Sequence, residues 1–269
     1  MVLRPVEFPA PEKGQPVAAW PAIAERQKCD APGYWLISQP DHARLSGELA
    51  AHFASERFPA VEPLLARIVA QHDCGWADFP GESGASEPLL TAHGRPRAFT
   101  EFAPPQFLSA WTASIESAQQ LAPAGGIIVS RHFCELGKFR LQHSEGFPPD
   151  ELELIRVFLA REARRQEALL GNCPQPAQQL DRWLAVLQFC DLLSLYLCSG
   201  AEGEADFPPV LTEHPVRIAH ARNQDLYRLV PSPFHAAGPG SIVRLEVSAR
   251  RYPENGAPQV TKLRFLLGQ

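Results

Sequence analysis

No stretch of about 18 residues in this chain is apolar without a polar interruption, which excludes a membrane-spanning helix. No run of basic residues stands out either, and the formal charge is −5. Nucleic acids and anionic membrane surfaces both need a positive footprint, so neither is expected as a partner. A small anionic substrate stays compatible, because a local metal or arginine overrides a net charge. Met1 to Gly14 lacks the apolar stretch of a secretory signal, and a cytoplasmic location is expected. The six cysteines (Cys29, Cys74, Cys134, Cys173, Cys190, Cys198) include no C-x-x-C pair. Several fall inside apolar runs, which reads as reduced thiols and not a disulfide framework. Phosphate-loop, dinucleotide-loop, H-E-x-x-H and G-x-S-x-G motifs are missing as well.

What the chain has in quantity is proline, 27 of 269 residues, and the prolines divide it into segments. Residues 1–33 read as an extended lead-in with a short strand near Val2–Phe8. Tyr34–Ser38 is a strand or a helix entry, and Gln39-Pro40-Asp41-His42 opens a helix capped by Ser38 or Asp41. Val61, Leu64, Leu65, Ile68, Val69 and His72 have the spacing of an amphipathic helix, with Gly75 placed to end it. Asp78 to Pro105 is a long loop, of a length more often functional than idle, for example as a lid. Helices follow at Pro105–Leu121, Ala124–Gly137, Pro149–Gly171 and Pro176–Ser199, with a polar loop at Lys138–Pro149. After Gly200, alternation at Leu226–Val230, Ile242–Arg251 and Thr261–Leu267 predicts strands. The expected architecture is therefore mainly α: a helical domain over residues 34–200, then a β-rich extension over 201–269 forming a small C-terminal antiparallel sheet.

Four positions carry the chemistry. His72-Asp73 closes a helix, where the chain turns and both side chains can reach one ion. Imidazole with carboxylate suits Mn, Fe, Zn or Ni. Asp191 lies in a helix apolar on nearly every face, so it is expected to be buried. There it needs a cation, a strong donor set or a proton. An arginine partner or a capping role would serve as well as a metal. His132 and His42 sit on other helices, and such a histidine is more often a satisfied core residue than a ligand. The four come from different helices, as sites in helical bundles do.

The order His42, His72-Asp73, Asp191 resembles the H…HD…D signature of the HD-domain phosphohydrolase superfamily, and His72-Asp73-Cys74-Gly75 is similar to its HD-x-G stretch. Gln39-x-Asp41-His42 and Ser130-Arg131-His132-Phe133 resemble motifs of a bacterial HD-like family without a described function. The resemblance spans Trp35 to Cys198 and implies an HD-like helical bundle. It implies that His42, His72, Asp73 and Asp191 ligate one divalent transition metal, with His132 available to a second ion. His143 is a weaker candidate for that second ion. The implied reaction is hydrolysis of a small phosphate ester or nucleotide by a metal-activated water, with Asp73 and His132 as catalytic groups. Arg131, Lys138 and Arg140 are candidates for phosphate binding, although a solvated surface role is the commoner one for such residues. Trp76 stands where many HD hydrolases carry lysine. Two other readings remain: an HD-type diiron oxygenase, and a non-catalytic ligand-binding or scaffold protein whose sheet edge forms a partner or homodimer contact.

Overall fold

The computed structural model describes residues 1–8, 16–82, 87–143, 148–209, 215–220, 226–234, 242–253 and 260–268. Its strands are β1 (Val2–Pro5), β2 (Val17–Ala18), β3 (Tyr34–Ile37), β4 (Gly203–Phe207), β5 (Val216–His220), β6 (Leu226–Val230), β7 (Val243–Tyr252) and β8 (Val260–Gly268). Its helices are α1 (Ala19–Lys28), α2 (Gln39–Ala51), α3 (Pro63–Ala70), α4 (Pro104–Leu121), α5 (Pro123–Gln142), α6 (Pro149–Leu170) and α7 (Ala177–Ser199).

The expectation of a mainly α protein with a small antiparallel sheet is corrected by one curled, mixed, eight-stranded sheet ordered β1-β3-β7-β8-β6-β5-β4-β2. Strand β6 has the expected bounds, and β7 and β8 lie within a residue or two of theirs. Two parallel pairings, β6 with β8 and β2 with β4, join the antiparallel ones. Strands β4 and β5 escape the sequence because Gly-Glu-Ala-Asp-Phe and Val-Arg-Ile-Ala-His are too short and polar for alternation to register. The N-terminal segment is not merely extended. Val2 to Pro5 pairs with Ile37 to Tyr34, β3 pairs onward with β7, and Ala19–Lys28 is helical. The helix α1 has a weakly apolar face, which hides it among proline and polar residues. The part of the lead-in at residues 9–15, and residues 144–147 of the expected polar loop, lie outside the described residues.

The helices pack on the sheet through one buried core running from Val2 to Leu267. Helix α2 begins where expected: Ser38 caps it by accepting the Asp41 N–H at 3.0 Å, and Pro40 lies in its first turn. Two arginines from the N-terminal segment seal the far end of α7. Arg26 donates to the Gly200 carbonyl at 3.1 Å and Arg4 to Leu197 at 3.2 Å. Both satisfy orphan carbonyls and oppose the negative end of the helix dipole. Gly200 itself takes φ 68°, the left-handed conformation that ends a helix. Among the described residues no helix is long and apolar enough to cross a membrane.

Helix α5 runs past its expected end at Gly137 to Gln142. That glycine is a contact position: an added Cβ would lie 3.2 Å from Leu159 on α6. The expected lid segment, where described, folds back by a bridge between Leu90 and Pro96. It also delivers buried Glu82, which pairs with the Met1 amine and accepts the Gln39 N–H at 2.7 Å.

Candidate metal centre

Helix α3 stops at Ala70, and the chain turns through Gln71, His72 and Asp73 into a single 3-10 turn, Cys74–Trp76. Gly75 is required there by close approach. A Cβ at this position would sit 2.1 Å from the Ala110 carbonyl and 2.6 Å from the Ser114 N of α4. Its own N–H donates to Ser114 Oγ at 2.9 Å. Gly75 thus presses the His72-Asp73 turn onto α4; it is not the helix terminator expected from its position.

The turn faces His42 of α2, His132 of α5 and Asp191 of α7. His42 Nε2 lies 2.8 Å from Asp73 Oδ2, and His72 Nε2 lies 3.3 Å from Asp191 Oδ1 and 3.7 Å from Asp73 Oδ2. His132 Nε2 lies 3.6 Å from Asp191 Oδ2. The His42 and His72 side chains are fully buried, while those of Asp73 and Asp191 keep 11 % and 14 % exposure. The centre therefore meets solvent through its carboxylates. Two ligand-forming triads result, His42–His72–Asp73 and His72–His132–Asp191, each with ligand atoms within 4.8 Å of one another.

The surroundings hold each group in place. His72 Nδ1–H donates to the Val69 carbonyl at 2.8 Å, which turns the Nε2 lone pair toward the two carboxylates. His42 Nδ1 lies 2.8 Å from Ser194 Oγ of α7. Trp76 Nε1–H donates to Asp73 Oδ1 at 3.2 Å, so Oδ2 is left facing inward. A lone pair aimed at carboxylates is unfavourable unless a cation or a proton lies between them. Without a metal, the proton does this. Burial pulls the His72 pKa down, but the Asp73 charge and the Asp191 hydrogen bond raise it to about 9. Burial would raise Asp191, but the His72 hydrogen bond and charge hold it at about 2. His132 goes the other way: burial lowers it to about 4 against the pull of Asp191, so its ring is neutral near pH 7. The donor set fits a divalent cation: buried imidazole nitrogens facing two carboxylates, with the outer nitrogens of His42 and His72 supported and that of His132 without a hydrogen-bond partner among the described residues.

The five residues picked from the sequence as ligands thus fall into two neighbouring triads that share His72: His42 and Asp73 on one side of it, His132 and Asp191 on the other. The phosphate candidates do not join them. Arg131 pairs with the exposed Asp181 at 2.9 Å, ten residues (about 15 Å) before Asp191 on α7. Lys138 pairs with Glu135 on the surface at 2.7 Å. Arg140 donates to the Thr100 carbonyl at 2.9 Å and lies over the Phe107 ring. His143 caps α5 in the open, with Nδ1 on the Phe139 carbonyl. Sequence reasoning missed Ser46, Ser194 and the polar role of Trp76. Each lies three or four residues from a ligand (His42, Asp191 and Asp73), spacing that puts neighbours on one face of a turn or helix.

A family model described as "Protein of unknown function (DUF3891)" matches residues 26–247, and the chain belongs to that family. The match runs through the helices and on into β7. No curated protein matches the chain, and no solved structure does.

Proposed function

We propose that this family member is a metal-dependent hydrolase holding one divalent transition-metal ion (Mn, Fe, Zn or Ni) through His42, His72, Asp73 and Asp191. The observation that carries the reading is that the inner imidazole nitrogens of His42 and His72 converge on the inner oxygens of Asp73 and Asp191. When bound, such an ion supplies Lewis acidity and a water acidified toward neutrality. Asp73, pinned through Oδ1 by Trp76, presents Oδ2 to orient that water. His132 supplies a neutral imidazole beside Asp191, suited to hydrogen-bond a bound water or a substrate oxygen. The choice of a small phosphate ester or nucleotide as substrate rests on the HD-like order of the ligands. With Arg131, Lys138 and Arg140 engaged elsewhere, charge on the substrate would be met by the ion and by the imidazoles.

The test is elemental mass spectrometry of untagged protein beside the His72→Ala/Asp73→Ala double variant, followed by a phosphatase screen with the metal found. Near-stoichiometric metal, lost in the variant while circular dichroism is unchanged, is expected, with phosphate release from at least one small ester. Wild-type protein that takes up no Mn, Fe or Zn on reloading would overturn the metal centre and leave a non-catalytic ligand-binding protein. The second triad, His72–His132–Asp191, favours one other reading, a diiron oxygenase. Two irons per chain with the Mössbauer signature of a coupled pair would select it. One ion per chain would reject it, as expected from the single inward nitrogen of His72 that both triads share.

A further inference from the structure

Behind His42, on the side away from Asp73, four polar atoms lie close together inside the protein. Ser194 Oγ is 2.8 Å from His42 Nδ1, 2.8 Å from the Asp191 carbonyl and 2.8 Å from Ser46 Oγ. Ser46 Oγ is in turn 3.0 Å from the His42 carbonyl. His42, Ser46 and Ser194 are each fully buried. Ser46 Oγ has two acceptors within reach and Ser194 Oγ three, so these heavy atoms can satisfy either tautomer of the His42 ring, by patterns such as the following two.

In the first, Ser46 donates to Ser194 Oγ, Ser194 donates to His42 Nδ1, and His42 Nε2–H donates to Asp73 Oδ2. In the second, Ser46 donates to the His42 carbonyl, Ser194 donates to the Asp191 carbonyl, and His42 Nδ1–H donates to Ser194 Oγ. Every proton is used once in each pattern. The second leaves the Nε2 lone pair free toward the centre.

We infer that Ser194, supported by Ser46, is a positioning residue that converts His42 from a partner of Asp73 into a metal ligand by rotating its hydroxyl, without moving a heavy atom. The inference rests on the metal reading above. On loading, the ring proton passes from Nε2 in the first pattern to Nδ1 in the second. Fixing the outer nitrogen of a ligating histidine is commonly worth 10–100-fold in metal affinity. The arrangement also fills the Nε2 position with a proton when no ion is there, which keeps Asp73 satisfied.

Histidine ring 15N NMR of the wild-type chain, metal-free and loaded with Zn, tests this together with Zn affinity by chelator competition. The expected result is a His42 ring protonated at Nε2 without metal and at Nδ1 with it. Ser194→Ala should lose about 10–100-fold in Zn affinity, and Ser46→Ala several-fold, while both metal-free variants melt within a few degrees of wild type. A His42 ring in the same tautomer in both states, or doubly protonated without metal, would overturn the inference. So would a Ser194→Ala variant that binds Zn as tightly as wild type. Wild type that binds no Zn would instead overturn the metal centre itself, and the switch with it.

Discussion

A histidine raised to about 9 and another lowered to about 4 lie 5.7 Å apart, ring to ring, in this protein. Both start from 6.5 in the unfolded chain. For His72 the folded value is the higher one. Its contribution to stability is complete below pH 6.5 and is lost as pH rises through about 9. For His132 the folded value is the lower one, so stability is lost as pH falls from 6.5 toward about 4. The melting temperature of chelator-treated protein should therefore peak near neutrality and fall on both sides. His132→Gln should flatten that acid limb and leave the alkaline one. Differential scanning fluorimetry across pH checks this, and a curve without an alkaline limb would contradict the His72 assignment. At the same scale, Gly75→Ala must push the turn off α4. It should cost about 3 kcal/mol or more in urea unfolding. The ligands were legible because a His-Asp pair and a charge in an apolar helix are conspicuous. Ser46 and Ser194 were not, since serines in helices are common and their partners are fixed only by packing.

At the scale of elements, the 3-10 turn after α3 joins two tasks. Trp76 stacks among Phe79 and Phe102 while its indole N–H holds Asp73. Trp76→Phe keeps most of the packing and removes the donor. It should lower metal affinity about tenfold while costing less than about 1.5 kcal/mol in stability, and chelator competition beside urea unfolding separates the two effects. In helix α6 the charged run Arg161-Glu162 and Arg164-Arg165 has the composition of a solvated face, yet the Glu162 side chain is fully buried, bracketed by Arg161 and Arg165 at 3.0 Å each. Pattern rules assign a carboxylate outward by default. Only the approach of α4 and α5 covers this one.

At the scale of the whole molecule, the helices cannot be separated from the sheet. Helix α2 lies against β7, and α7 against β1. A fragment of residues 34–200 keeps all five candidate ligands but loses β1, β7 and β8, so the backbone edges of β3 and the apolar faces of α2 and α7 would be uncovered. It should be protease-sensitive and poorly soluble, in contrast to the full chain. A fragment that melts cooperatively and binds metal would show the helices to be autonomous. The positions of α2 to α7 could be read locally, from spacing and prolines. The sheet could not, because its β3–β7 pairing joins Tyr34 to Tyr252.

That pairing also sets a clock on biosynthesis. At about 5–20 residues per second, β3 is made roughly 10–40 s before the strand it must pair with. Through that interval the antiparallel pair of β1 and β3 carries an unmatched edge. Such an edge is a template for mispairing in the nascent chain, and the yield in the cell should depend on translation rate more than on the stability of the finished protein.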